Sequence, residues 1–273
     1  RNLAPGRAVA DLYRLVPAQS RQEYDIRDLL PFFLDDALFD EYKAEYGQTL
    51  VCGFGKLGGA SVGVVANQIK RCRPAEGPLQ YGGVIYVDAA DKAARFIMDC
   101  NQSRVPLLFL QDVNGFMVGR DSEQEGIIRS GAKLVNVIAN SVVPKITVIL
   151  GGSYGAGNYA LCGKAFDPRF LFAWPTSRYA VMGGEQAAGT LLDITVSALK
   201  RQGHEPDAAE LEELKRKVET SYGEQTDVRY AAARLWVDAI LAPEKTRNAL
   251  LTALEVSLRH DEGRPFKTGV LQV

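Results

Sequence analysis

Hydrophobic residues along this 273-residue chain alternate between short unbroken runs and longer stretches with helical spacing. Residues 49–56 and 61–67 are rich in β-branched side chains and flank Gly58-Gly59, a pattern that predicts a β-hairpin. A loop at 71–83 follows, carrying Pro74, Gly77, Pro78 and Gly82-Gly83. Beyond it the order becomes regular. Residues 88–102 predict a helix with Asp88 as N-cap, and 105–111 (Val-Pro-Leu-Leu-Phe-Leu-Gln) a buried strand. Residues 125–141 place Ile127, Leu134, Val135 and Ile138 at helical spacing, and 144–150 predict the next strand. Two short strands at 169–174 and 178–182 and a helix starting at Gly184 come next. In 207–222 the stripe Leu211, Leu214 and Val218 is narrow and charges surround it, as on a solvated helix. Residues 231–241 predict a helix feeding a strand, and 244–260 a final amphipathic helix.

Near the start, Pro5, Gly6 and Pro17 break up residues 1–24, which predict a linker or arm. From Asp25 the pattern turns amphipathic with Ile26, Leu29 and Leu30, until Pro31 perturbs it. Alternating helices and buried strands without an internal repeat predict an α/β fold, as one large domain or two small ones.

Composition narrows the function classes. With 32 Lys and Arg against 33 Asp and Glu, a net charge of −1 gives no general attraction to nucleic acid or an acidic membrane surface. No apolar stretch reaches the length of a membrane span, and the first residues lack a signal-peptide core. The separated Cys52, Cys72, Cys100 and Cys162 predict reduced, buried thiols in a reducing compartment, the cytoplasm or a mitochondrial matrix. His204 and His260 are too few for a His-rich zinc site, and His204 lies in a polar stretch predicting a loop.

The candidate chemistry begins at Gly151-Gly152-Ser153-Tyr154-Gly155-Ala156-Gly157-Asn158-Tyr159, which follows the apolar run 146–150. A strand entering a glycine turn and then a helix leaves N–H groups free at the helix start, where the dipole favours negative charge. That arrangement suits an oxyanion or a phosphate. Alternatively, the glycines serve only close packing of strand on helix; the spacing matches neither nucleotide-binding glycine motif. A second glycine loop, residues 111–120, follows the preceding strand, and the two could direct N–H groups at one point. There Phe116 and Met117 serve equally well as core, and Asp112 and Asp121 as turn caps.

Together, Phe109-Leu110-Gln111-Asp112-Val113-Asn114-Gly115-Phe116-Met117-Val118-Gly119, Val143-Pro144-Lys145-Ile146-Thr147, the glycine run 151–159, Ala173-Trp174-Pro175 and Val181-Met182-Gly183-Gly184-Glu185-Gln186-Ala187-Ala188 resemble biotin-dependent acyl-CoA carboxyltransferases. The similarity is greatest to β subunits of the methylcrotonoyl-CoA carboxylase type and runs from about Tyr24 to the final helix. A longer loop at 70–83 is similar to that of the glutaconyl-CoA decarboxylase α subunit. The resemblance implies a crotonase-like spiral of β-β-α units. It makes residues 25–273 the carboxyl-terminal, biotin-side domain, with 1–24 as the connection and the amino-terminal acyl-CoA domain lying outside this sequence. It also implies a biotin-carrying and biotin carboxylase component as partner, and a homo- or hetero-oligomer. Starting at Arg1 within a polar segment, the chain is expected to be part of something longer.

The activity implied is carboxyl transfer between carboxybiotin and an acyl-CoA, such as a branched enoyl-CoA, in either direction. As CO₂ leaves biotin, charge develops on its ureido oxygen, and backbone N–H groups stabilise it without reorganising. The N–H groups of Val118, Gly119, Ala156 and Gly157 are the expected donors, with Phe116, Met117, Tyr154 and Gly155 shaping the biotin slot. A valine at Gly157 is expected to crowd biotin. Two readings compete: a crotonase-type hydratase or isomerase using Glu123, Glu125 or Glu185 as base, and a non-catalytic assembly subunit.

Overall fold

A computed structural model describes residues 4, 5, 7, 11–15, 22–36, 38–203, 207–259 and 263–271; His204 and His260 fall outside them. The main sheet contains β1 (Phe39–Glu41), β2 (Leu50–Leu57), β3 (Ala60–Asn67), β5 (Leu107–Val113), β7 (Lys145–Tyr154), β8 (Phe170–Ala173) and β10 (Ala239–Ile240), in that spatial order. A second, two-stranded sheet joins β4 (Val84–Ile85) to β6 (Gly115–Phe116), and β9 (Arg178–Ala180) pairs with the far end of β7. Strands β1 to β3 are antiparallel; from β3 onwards the pairing is parallel.

The helices are α1 (Leu12–Leu15), α2 (Leu30–Phe33), α3 (Val87–Gln102), α4 (Arg120–Glu125), α5 (Ile127–Ala139), α6 (Gly155–Ala160), α7 (Gly184–Arg201), α8 (Ala208–Thr226), α9 (Val228–Ala232) and α10 (Thr246–Leu258). Two successive units leave the main sheet through a short strand and return through a helix, β3–β4–α3 and β5–β6–α5. Parallel strands covered on both faces must be apolar on both. Accordingly Leu107 and Phe109 pack toward α3 and α5, while Leu108 and Leu110 join Trp174, α2 and α10 on the other face.

Most of the expected elements form, and the departures have local causes. The hairpin is present, with Gly58 and Gly59 at φ +61° and +84°, the left-handed pair that a tight two-residue turn demands. Asp88 lies inside the first turn of α3; the N-cap is Tyr86, without a side-chain bond. The helix expected over 125–141 forms as α5, and Gly126, at φ +100°, separates it from the preceding α4, which the pattern did not predict. Pro31 sits in the first turn of α2, where its missing N–H costs nothing, so it starts that helix rather than interrupting one. Leu12 is buried in the core, and the stripe Leu211, Leu214 and Val218 on α8 is half-buried.

One buried ion pair ties the ends of this fold together. Arg247 on α10 donates to Asp35 at 2.6 Å and to the Phe33 carbonyl. Asp35 also accepts the N–H groups of Gly58 (3.0 Å) and Gly59 (2.7 Å), pinning the hairpin turn to the final helix. Burial pushes the Asp35 carboxyl up, but bonds from Arg247, Gly59 and Gly58 outweigh it and hold the net value below 3.8. The pair therefore contributes stability above that pH, which is lost as pH falls through the depressed native value. Arg247→Met should cost about 3–5 kcal/mol at pH 7 by stranding the carboxylate. Urea unfolding should show this deficit shrinking as the pH is lowered toward and below 3.8, because the stranded carboxyl protonates before the paired one, whereas a pH-independent deficit would assign the loss to packing alone.

Candidate active site

The glycine run is two devices. Strand β7 continues through Tyr154, and the turn comes at Gly155, whose φ is +52°. Between Gln111↔Ile149 and Val113↔Ser153, β5 advances two residues while β7 advances four. Gly151 and Gly152 lie in that bulge. A Cβ on Gly151 would fall 2.3 Å from Asp112 Oδ1, and the Gly152 N–H donates to the same oxygen at 2.7 Å. Asp112 Oδ2 accepts the Tyr24 hydroxyl at 2.9 Å. Burial raises the Asp112 carboxyl, with the Gly152 and Tyr24 bonds opposing it, and burial next to that carboxylate pushes the Tyr24 hydroxyl well above its usual value. For Gly151, the close-packing reading holds.

Gly155, Ala156 and Gly157 form the first turn of α6, where N–H groups have no intrahelical acceptor. Beneath this turn runs a buried polar chain. Ser153 Oγ donates to Gln111 Oε1 at 2.6 Å and accepts from Asn158 Nδ2 at 2.7 Å. Gln111 Nε2 donates to the Leu161 carbonyl at 2.7 Å, so both ends of the six-residue helix are fastened to β5 and β7. Nothing in the sequence periodicity singled out Gln111, Ser153 or Asn158 for this, because their partners lie on different elements.

The second loop arrives alongside. Strand β6 pairs Gly115 with Val84 and Phe116 with Ile85, and the Met117 N–H donates to the Ile85 carbonyl at 2.9 Å. Gly119, at φ +113°, opens α4. On α5, a Cβ at Gly131 would fall 3.1 Å from the Phe116 ring, so the missing side chain seats that ring. Phe116, Met117, Val118 and Ala156 together line one cavity of about 430 Å³, whose other walls include Ile127 and Gly131 of α5. Among the described residues, the N–H groups of Val118, Gly119, Ala156 and Gly157 have no protein acceptor.

Not every predicted residue joins that cavity. Gly155 and Ala156 line a second cavity of about 720 Å³ walled by Tyr159, Tyr179, Tyr222 and Trp236. Tyr154, Gly119 and Gly157 line neither. Of the carboxylates, Glu123 stands exposed at the rim of the first cavity, and Glu125 is exposed and outside both. The side chain of Glu185 lies outside the described residues. All four cysteines are buried and free, and burial pushes Cys52 and Cys100 up to about 12 and Cys162 to about 11.

The meaning of a Gly157 substitution changes accordingly. Its Cβ would meet Val113 Cγ2 at 2.5 Å and Gly115 Cα at 3.2 Å, so the residue is packed against β5 and β6. Gly157→Val should destabilise by about 1–3 kcal/mol through overpacking. Chemical denaturation should show part of that loss recovered in the Val113→Ala background, and an additive double mutant would contradict the contact.

Residues 3–269 match the carboxyl transferase domain. The chain is 43% identical over 263 residues to a probable mitochondrial methylcrotonoyl-CoA carboxylase beta chain of Drosophila melanogaster, covering 96% of this chain and 43% of that protein. It is 42% identical over 256 residues to the biotin-dependent 3-methylcrotonyl-coenzyme A carboxylase beta1 subunit of Mycobacterium tuberculosis, covering 94% and 46%. Of solved structures, the P. aeruginosa geranyl-CoA carboxylase beta subunit superposes with a TM-score of 0.81 at 37% identity, covering 100% of this chain and 49% of that one. The transcarboxylase 12S hexamer with methylmalonyl-coenzyme A and methylmalonic acid bound gives 0.84 at 32%, covering 100% and 50%. The fold is the crotonase-like one, and the chain spans about half the length of these relatives.

Proposed function

The chain belongs to the carboxyl transferase family, and from that premise we propose that it forms the biotin side of an acyl-CoA carboxyltransferase active site. The observation that carries this reading is the cavity where Phe116, Met117 and Val118 meet the acceptor-free first turn of α6 at Ala156. An apolar slot with backbone donors at one wall suits a fused-ring ureido group, which is flat and apolar except at its carbonyl and N–H groups. Biotin, when delivered by its carrier, supplies the transferable carboxyl group. The chain's own part is to hold the ureido oxygen against N–H groups and to exclude water. Ala156 is the principal donor because it is exposed in the cavity, whereas Gly157 supports it from a buried position.

Around the cavity mouth, Val118 is 77% and Ile128 75% exposed, and Val181 flanks the neighbouring cavity at 77%. Apolar rims of this kind are surfaces for a partner. We assign that cover to an acyl-CoA-binding domain of the same family, within an oligomer that also engages a biotin-carrying subunit. Similarity to methylcrotonoyl-CoA carboxylase β chains favours a branched enoyl-CoA as substrate. Among the described residues no helix is long and apolar enough to cross a membrane, and a cytoplasmic or mitochondrial-matrix setting suits the four free cysteines.

The test is an assay of the assembled enzyme, with its biotin-carrying partner, against a panel of acyl-CoAs. Ala156→Pro removes one donor at a first-turn position that tolerates proline, and should lower kcat about 100- to 1000-fold in a folded, normally assembled variant. Glu123→Gln should stay near the wild-type rate, since that carboxylate stands in solvent. Turnover without biotin, or an inactive Glu123→Gln beside a fully active Ala156→Pro, would transfer the chemistry to a carboxylate base.

A further inference from the structure

Of the sequence motifs, Val143-Pro144-Lys145-Ile146-Thr147 is not absorbed by the site above. Lys145 begins β7 and Tyr154 ends it. At about 3.3 Å per residue the two lie roughly 30 Å apart, on opposite edges of the sheet. At the Lys145 edge, a cleft of about 200 Å³ is lined by Arg104, Lys145, Arg169 and Arg264 and, among the described residues, by one acidic residue, Asp167. In a chain whose net charge is −1, Lys145 and Arg169 place two cations side by side at this edge.

Strand register builds it. Leu107 pairs with Lys145 and Ile146 with Phe170, so the residues just before β5 and β8 flank the first residue of β7. The Arg169 N–H donates to the Lys145 carbonyl at 2.7 Å, which fixes Arg169 beside it. The Arg104 guanidinium donates to the Arg264 carbonyl at 2.9 Å and brings the carboxyl-terminal segment into the wall. Lys145 is 7% exposed, and its ammonium has one bond, to the Ile138 carbonyl at 3.3 Å. No carboxylate pairs with Lys145 or Arg169 among the described residues.

An ammonium taken out of water is costly unless a charge compensates it, and this one has two donors to spare. We infer that the cleft is a binding site for a compact dianion of the phosphate class, held between the Lys145 ammonium and the Arg169 guanidinium. Its volume of about 200 Å³ has room for one phosphate with a few waters. The planar fork of an arginine matches two phosphate oxygens, and a buried ammonium supplies a point charge to a third. Two sources share this chemistry: inorganic phosphate, and the phosphomonoester of a nucleotide.

Calorimetric titration of the full chain at constant ionic strength distinguishes them. Sodium phosphate should bind at one site per chain where sodium chloride gives no saturable heat. Adenosine 3′,5′-bisphosphate binding more tightly than phosphate would identify the nucleotide source, and weaker binding the free anion. Arg169→Gln, a change at an exposed position, should weaken phosphate about tenfold or more. Lys145→Met should abolish binding if it folds; if it does not fold, Arg169→Gln decides alone. Phosphate behaving like chloride, or binding Arg169→Gln as tightly as wild type, overturns the inference.

Discussion

The parallel register of β5 on β7 is the constraint on which the rest depends. Leu107 opposite Lys145 sets one end of the pair, and Val113 opposite Ser153 sets the other. Because loops that follow parallel strands emerge at the same edge, this register delivers residues 114–119 and 155–157 to one place. A parallel pair slipped by one residue would exchange the faces of Leu108 and Phe109 and separate the two loops. Core and site are therefore held by the same bonds.

Absent side chains do much of the positioning at that edge. Gly151 leaves room for the Asp112 carboxylate, Gly157 lets α6 lie against Val113 and Gly115, and Gly131 seats the Phe116 ring. Each close approach brings a backbone segment or a ring to its place without a lever that a longer side chain would add. The cost is flexibility, and the Gln111–Ser153–Asn158 chain with the Tyr24–Asp112–Gly152 bonds supplies the compensating rigidity. Preorganised donors act on a developing charge only if they do not move when it appears. A buried, fully bonded framework under a six-residue helix meets that requirement.

Local sequence carried the elements well where periodicity and turn chemistry agree. Gly58-Gly59 between two β-branched runs, and the apolar run of β5, needed no tertiary information. It misled where a residue has two local meanings. Pro31 breaks a helix interior but suits a helix start, and Asp88 serves a cap or a first turn equally well. The Gly151 turn moved to Gly155 because a glycine-rich stretch extends a strand whenever a neighbouring strand offers the ladder and a carboxylate fills the bulge.

From the sequence alone came the α/β order, the two glycine loops after successive strands, and the family resemblance that names a carboxyl-transfer chemistry. These are legible because they reside in spacing along the chain, which local sterics and hydrophobic periodicity translate directly. Only the tertiary structure decided that Phe116, Met117, Val118 and Ala156 share one cavity while Tyr154 and Gly157 stay outside it. It alone placed Arg104, Lys145 and Arg169 together at the opposite edge. Such meetings depend on strand register and helix packing between segments tens of residues apart, and no local pattern encodes the distance between them.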